Sequence, residues 1–211
     1  MHYITGKFFI DCGAHCGESI VRARSQFGSD IQIVSFEAVP ELAKNLAELY
    51  EGDSYVNIIN AAVWTDNSTI DINVCPSFTD GSSILTNLNN NHLATKVKVP
   101  CVDISSWIKN SFDSDDYLIL KLDIEGAEYD VLEKLCLDGT ISRINELWGE
   151  WHYGHIVPNL KEGSEEFNNF RDKVIRVNQL LKEANKELKI WEAYYQDNNF
   201  GLTKRPKTLT A

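Results

Sequence analysis

Short, β-branched apolar runs alternate along this chain with longer segments of helical period, and this alternation limits the fold more than any other feature. Parallel strands need a crossover between them, usually a helix, so the pattern predicts stacked βαβ units. The predicted strands are residues 7–11, 31–37, 56–63, 117–123, 144–151 and 188–196. The predicted helices are residues 18–27, 40–50, 103–110, 127–137 and 165–185. We therefore predict an α/β, doubly wound, mostly parallel sheet with helices on both faces.

Residues 69–102 interrupt this alternation. Within them, residues 70–74 and 97–99 alternate apolar and polar side chains, which predicts two extra strands of a small β-hairpin insertion. The segment between these strands, residues 75–95, is rich in Ser, Thr, Asn and Gly and is longer than most connections in compact domains. A loop of this kind is expected to be functional or mobile.

Length and charge narrow the class of protein. The 211 residues suffice for one sizeable hydrophobic core, so we predict a single domain over residues 1–211. A net charge of −11 repels phosphate backbones, which argues against nucleic acid as a partner.

The five cysteines form no Cys-x-x-Cys pair, which favours a reducing compartment. Because neither a bilayer-spanning apolar run nor a signal peptide is visible, we expect a cytoplasmic protein without a membrane partner.

The end of the first predicted strand carries a glycine-bearing turn that leads into a helix. Asp11 is followed by Gly13 and Gly17, and glycine allows a ligand to approach bare backbone. His15 stands where the dinucleotide fingerprint has its second glycine, so the turn departs from the pyrophosphate-binding form. A carboxylate at Asp11 would repel a phosphate and attract an ammonium group. The turn therefore favours a cationic ligand without phosphates, although a simple structural turn is the alternative.

The second predicted strand ends in Glu37, which lies 20 residues after Gly17. An acidic residue at this spacing can accept hydrogen bonds from the ribose hydroxyls of an adenosine moiety. S-adenosylmethionine, a cationic adenosine ligand without phosphates, satisfies both the turn and Glu37. A solvated strand end is the alternative interpretation of Glu37 taken alone.

These segments resemble the FkbM-type methyltransferases. The resemblance rests on FIDCGAHCGES at residues 9–19, FEAVP at 36–40, NAAV at 60–63, GSS at 81–83 and KLDIEGAE at 121–128. It implies a seven-stranded Rossmann-like methyltransferase sheet, S-adenosylmethionine as donor, and a hydroxyl of a sugar or natural product as acceptor. It also implies that Asp11, Gly13 and Gly17 contact the methionine end of the donor and that Glu37 binds the ribose.

The same resemblance suggests partners for the adenine and for the acceptor. Ala38, Ala62 and Val63 would flank the adenine ring. His15 would line the donor pocket or support the turn. Gly81, Ser82 and Ser83 would either position the acceptor or form the tip of the long loop.

Two further predicted strands end in pairs of polar side chains. Asp123 and Glu125 close one, and Glu150 and His152 close the other. Residues i and i+2 of a strand point to the same face, so the four could converge at the carboxyl edge of the sheet. Such a group could act as a base, with His152 favoured by its intrinsic pKa and Asp123 orienting the acceptor, or it could hold a divalent ion. Alternatively, Glu125 begins a helix and His152 is a loop histidine.

From the sequence we predict an S-adenosylmethionine-dependent O-methyltransferase that acts on a hydroxyl of a small, carbohydrate-like or natural-product acceptor. We assign no residue as a metal ligand and leave a divalent cofactor open, together with the oligomeric state. An oxidoreductase that uses an NAD-type nucleotide is one alternative, disfavoured by His15 in the turn. A non-catalytic domain that has kept the donor pocket is the other.

Overall fold

The computed structural model describes residues 6–74, 95–156, 160–191, 194–196 and 202–204. The strands are β1 (Lys7–Cys12), β2 (Gln32–Glu37), β3 (Val56–Asn60), β4 (Ala62–Trp64), β5 (Thr69–Val74), β6 (Thr95–Asp103), β7 (Tyr117–Leu122), β8 (Ile144–Gly149), β9 (Lys189–Ile190), β10 (Tyr194–Gln196) and β11 (Leu202–Lys204). The helices are α1 (Glu18–Phe27), α2 (Pro40–Leu49), α3 (Ile104–Ser111), α4 (Glu128–Leu137), α5 (Tyr153–Ile156) and α6 (Glu165–Glu183).

The main sheet has the strand order β3-β2-β1-β7-β8-β9, and each neighbouring pair is parallel. This architecture confirms the predicted α/β fold with a mostly parallel sheet. Within the described ranges the main sheet has six strands, where the family resemblance implied seven. In those ranges, too, no helix combines the length and apolar composition that a bilayer-spanning segment needs.

The central strands are apolar on both faces because helices cover both. Phe9 of β1 and its partner Ile119 of β7 pack with α1, whereas the next pair, Ile10 and Leu120, packs with α3, α4 and α6. Burying apolar side chains in this way is the main favourable contribution to folding. Lys121 is the exception in β7, since it is charged and 1% exposed.

Local signals set the helix starts close to the predicted positions. Pro40 is the first residue of α2, where its missing N–H costs nothing. The Asp103 side chain caps α3 by accepting hydrogen bonds from two backbone N–H groups of the first turn. The Ser164 side chain caps α6 by accepting one hydrogen bond, from the backbone N–H of Phe167.

Two predicted strands differ from the structure. The strand predicted at 56–63 is divided at Ala61 into β3 of the main sheet and β4 of a second sheet, whose order is β4-β6-β5. The strand predicted at 188–196 is divided into the two-residue β9 and β10, which pairs with β11. In both cases the chain leaves one sheet for another within the range predicted as a single strand.

The hairpin insertion predicted near 69–102 is present and longer than its apolar alternation indicated. β5 and β6 are antiparallel, with a register that runs from Thr69 opposite Pro100 to Val74 opposite Thr95. Because β6 also pairs with β4, the insertion forms the second sheet rather than an isolated hairpin. The loop between β5 and β6 lies outside the described residues.

Candidate active site

The candidate active site lies at the carboxyl edge of the main sheet. β1, β2, β7 and β8 are parallel and end in register, since Cys12 pairs with Phe36 and Leu122, and Leu122 pairs with Gly149. The loops that follow these four strands therefore leave the sheet side by side. This edge is where open α/β sheets bind ligands.

The loop after β1, residues 13–17, is here named the glycine turn. Gly13 and Gly17 have left-handed backbones, with φ of +89° and +91°. A β-carbon on Gly13 would lie 1.9 Å from the carbonyl oxygen of Asp123, and one on Gly17 would lie 2.9 Å from Leu46 in α2. The protein's own chain therefore requires both glycines, whereas the sequence interpretation attributed them to a ligand. Their contacts with the methionine end of the donor stay a prediction.

Glu37 joins the glycine turn to the loop after β2. Its carboxylate accepts a hydrogen bond from the backbone N–H of His15 at 2.7 Å and another from that of Val39 at 2.8 Å. Burial raises the pKa of this carboxyl, against the opposing effect of these two bonds. The His15 ring turns away, with Nδ1 3.3 Å from a carboxylate oxygen of Glu18. Glu37 thus shapes the edge of the sheet, and the predicted ribose contact remains to be tested.

Asn60, which the sequence interpretation did not select, holds the backbone beside Glu37. Its side-chain amide donates to the carbonyl oxygens of Glu37 at 2.8 Å and Ala38 at 3.2 Å. Ala38 and Ala62 pack in one apolar cluster, while Val63 belongs to the main core. Ala38 and Ala62 therefore lie close to the Glu37 strand end, and the adenine contacts of all three stay predictions.

At the end of β7, the structure brings together groups from two loops. Here the name His152 cluster denotes Asp123, Glu125, Glu128 and His152. The Nε2 atom of His152 lies 3.7 Å from Asp123 Oδ1 and 3.6 Å from Glu125 Oε2. β7 and β8 end before these residues, so the side chains converge from turns and not from the strands themselves as we expected. Glu125 has a left-handed backbone with φ of +54°.

Glu128 is the member of the His152 cluster that sequence reasoning missed. It is buried at the start of α4, and its Oε1 lies 2.8 Å from His152 Nδ1. The same carboxylate accepts backbone hydrogen bonds from Ile124 at 2.8 Å and Gly126 at 3.0 Å. It therefore fixes both the imidazole and the turn after β7. Its position in KLDIEGAE was the available signal, but a glutamate there is also typical of a helix start.

Lys121 was also missed. Its ammonium group lies 2.6 Å from the carbonyl oxygen of Gly13, 3.1 Å from Asp11 Oδ1 and 3.4 Å from Asp123 Oδ2. Asp11 is fully buried and accepts a further hydrogen bond from Ser35 at 3.1 Å. Asp11 therefore faces Lys121 in the interior, and its direct contact with the donor stays a prediction.

Burial and neighbouring charged groups shift the pKa values of two side chains in the His152 cluster. Burial lowers the pKa of His152, but the Glu128 hydrogen bond and the nearby carboxylates raise it to about 9. Burial raises the pKa of Glu125 to about 7; His152 opposes this rise, and Asp123, Glu128 and Glu150 add to it. His152 is then largely cationic at neutral pH. This distribution favours Glu125 as the proton acceptor, whereas intrinsic pKa values favoured His152.

In the described part of the chain, two groups of side chains each offer three possible metal-ligand atoms that lie within 4.8 Å of one another. These are Asp123, Glu125 and His152 at the end of β7, and His15, Cys16 and Glu18 at the glycine turn. The first group offers the oxygen and imidazole ligands that suit divalent ions. Its histidine is also held through the second ring nitrogen by a carboxylate, as metal-bound histidines are.

The parallel sheet with helices on both faces defines a Rossmann-like α/β protein, and its candidate ligand site lies at the ends of β1, β2 and β7. A family model described as the methyltransferase FkbM domain matches residues 11–188. The chain belongs to the FkbM methyltransferase family, as its motifs predicted. No curated protein and no solved structure matches it significantly. The matched range includes the glycine turn, Glu37 and the whole His152 cluster.

Proposed function

We propose that this methyltransferase transfers the methyl group of S-adenosylmethionine to a hydroxyl of a small, carbohydrate-like acceptor. The observation that carries the proposal is the position of Glu125. Its carboxyl has a pKa raised to about 7, is partly exposed, and stands in the loop that follows β7, next to the glycine turn after β1. A carboxylate in this place can accept the proton that a hydroxyl loses during methyl transfer.

The donor side of the proposal rests on charge and on the adjoining strand ends. Among the described residues, four carboxylates, those of Asp11, Asp123, Glu125 and Glu128, face only two cations, Lys121 and His152, at the edge near β7. This acidic balance favours a sulfonium cation. Glu37 stands at the neighbouring strand end, where an adenosine ribose would lie. Alignment of the hydroxyl oxygen with the methyl carbon then precedes proton transfer to Glu125.

Two observations support a polyhydroxylated acceptor. The carboxylates of the His152 cluster can accept hydrogen bonds from several hydroxyl groups. Beside this cluster, the partly exposed Tyr153 ring stacks on Phe170 at 5.7 Å, and Trp151 stacks on Tyr129 at 5.0 Å. Aromatic faces of this kind pack against the C–H faces of sugars. The acceptor contacts predicted for Gly81, Ser82 and Ser83 lie outside the described residues and stay predictions.

Labelled S-adenosylmethionine and a panel of sugars, glycosides and phenols test the proposal. We expect methyl transfer to at least one sugar hydroxyl, with the product identified by mass spectrometry. Calorimetric titration should give binding of S-adenosylhomocysteine and none of NAD, which separates the oxidoreductase alternative. Binding without turnover on any acceptor would favour the non-catalytic alternative. Each assay is run with and without a chelator, because loss of turnover on chelation would make Asp123, Glu125 and His152 metal ligands instead of proton carriers.

Glu37→Gln should weaken binding of S-adenosylhomocysteine by about 1–3 kcal/mol, or roughly 5- to 150-fold in Kd. The amide removes the charge that favours ribose hydroxyl donors, and it cannot accept from both His15 and Val39 as the carboxylate does. Calorimetric titration measures the affinity, and circular dichroism checks that the variant is folded. Glu41→Gln, an exposed change on α2, is the control and should leave Kd unchanged. A folded Glu37→Gln protein with wild-type affinity would remove the ribose assignment.

A further inference from the structure

Lys121 lies at a buried position, where a charged ammonium group is energetically unfavourable. The strand that carries it is otherwise apolar, with Leu118, Ile119, Leu120 and Leu122 all fully buried, and Lys121 itself is 1% exposed. Moving an ammonium group from water into such an interior costs several kcal/mol unless nearby groups compensate for it. Burial alone would lower the pKa of this lysine, but Asp11 and Asp123 raise it above its ordinary value. The group is therefore a buried cation.

Asp11 alone would be enough to neutralise this cation. The carboxylate lies 3.1 Å from Nζ and is fully buried on the neighbouring strand, as expected for a structural ion pair. A buried ammonium has three N–H donors to satisfy, and its other two contacts reach beyond this ion pair. They go to the carbonyl oxygen of Gly13, in the glycine turn, and to the partly exposed carboxylate of Asp123, in the His152 cluster.

One ammonium group thus contacts both halves of the candidate active site. Asp123 uses Oδ2 for Lys121 and directs Oδ1 towards His152 Nε2, 3.7 Å away. The backbone of Asp123 reinforces the same junction, because its N–H donates to the carbonyl of Cys12 at 3.1 Å and its carbonyl lies against Gly13. The glycine turn and the His152 cluster are therefore joined through few, short contacts.

We infer that Lys121 is a positioning residue that couples the glycine turn, where the donor would bind, to the carboxylate of Asp123 in the His152 cluster. This inference rests on the proposed function for the identity of the donor. Its consequence is that donor binding and the orientation of the acceptor-side carboxylates depend on each other. Lys121 touches neither substrate, so its effect passes through Gly13 and Asp123.

The test is a double-mutant cycle on donor-product binding. Asp123→Asn should weaken S-adenosylhomocysteine about fivefold or more in the wild-type background, which is the lower range of measured couplings between sites. The same substitution should change Kd less than about twofold in the Lys121→Met/Asp11→Asn background, where the coupling is absent. That background replaces the buried ion pair by uncharged side chains of similar size, so the fold is kept where Lys121→Met alone would leave Asp11 unpaired.

Lys134→Met is the matched control, because this lysine pairs with Asp103 and Asp138 outside the site. The Asp123→Asn effect should keep its full size in that background. If Asp123→Asn changes Kd equally in the wild-type and Lys121→Met/Asp11→Asn backgrounds, the coupling is wrong. The proposed donor, S-adenosylmethionine, is unaffected by that result. If the wild-type protein binds no S-adenosylhomocysteine, both the proposed donor and the coupling are wrong.

Hydrogen exchange gives a second measurement that needs no lysine variant. Asp123→Asn should speed amide exchange in residues 13–17, since Lys121 loses one of its two carboxylate partners and holds the glycine turn less firmly. Exchange in β5, which belongs to the second sheet, serves as the internal reference. Unchanged protection of the glycine turn would overturn the inference even if the ion-pair replacement failed to fold.

Discussion

Replacing Gly13 with alanine is expected to lower the free energy of unfolding by more than about 3 kcal/mol, a large part of the stability of a typical domain. A β-carbon at this position would lie 1.9 Å from the carbonyl oxygen of Asp123 and 3.0 Å from its carbon. That neighbour is backbone at the end of a buried strand, so relief requires β1 and β7 to separate at their carboxyl ends. Thermal and urea unfolding of the ligand-free protein, followed by circular dichroism, measure the loss.

Gly52→Ala is the matched control for Gly13→Ala. Gly52 has a similar left-handed backbone, with φ of +83°, but a β-carbon there would meet no atom within 4 Å. In this control the free energy of unfolding should therefore fall only by the cost of placing alanine in a left-handed backbone, about 1 kcal/mol. Equal losses in the two variants would show that Asp123 does not restrict Gly13. The left-handed backbone, with or without the ligand contact that the sequence suggested, would then be the reason for the glycine.

The parallel sheet could be predicted because central strands of an α/β protein are buried on both faces. Residues 117–122 form a continuous apolar run with one interruption at Lys121, and such runs are typical of parallel strands. Helix starts were predictable for a similar local reason, since Pro40 and Asp103 act within one turn of their own positions. Local signals of this kind do not depend on distant contacts.

The divided strands could not be predicted, because periodicity does not record which sheet a strand joins. Residues 56–63 have β-branched side chains on both sides of Ala61, yet β3 pairs with β2 and β4 pairs with β6. The change of sheet depends on the insertion, whose strand β6 arrives more than 30 residues later in the chain. The division of residues 188–196 likewise depends on pairing between β10 and β11.

In the candidate site, the loops that carry polar residues were predictable and the partners of those residues were not. Lys121 contacts Gly13 across 108 positions of sequence, and no local pattern indicates that distance. In the sequence Glu128 looks like an ordinary glutamate of a helix's first turn, and only the structure shows its contact with His152. The pKa values of Glu125 and His152 depend on burial and on neighbouring carboxylates, whereas the sequence offered only intrinsic pKa values, which favoured His152 as the base.

Turnover should rise with pH and level off above about pH 7, because Glu125 must be ionised to accept the hydroxyl proton. The pKa of this carboxyl is raised, so the protonated, inactive form persists over a range in which an ordinary glutamate is already ionised. The profile of kcat/KM for the donor reports the free enzyme and should show this inflection. The profile of kcat should inflect at lower pH, since a bound sulfonium cation stabilises the carboxylate. An inflection of kcat above that of kcat/KM would contradict this placement of the donor.

Glu125→Gln should lower kcat by about 100-fold or more, the usual contribution of a positioned base, and should abolish the inflection near pH 7. Glu150→Gln is the comparison variant, because the charge of Glu150 raises the Glu125 pKa. This variant should keep the plateau and move the inflection to lower pH. His152→Gln removes the cation that opposes the raised pKa, so its inflection should move to higher pH. A Glu125→Gln enzyme that retains both the plateau and the inflection would place the proton acceptor elsewhere at this edge of the sheet.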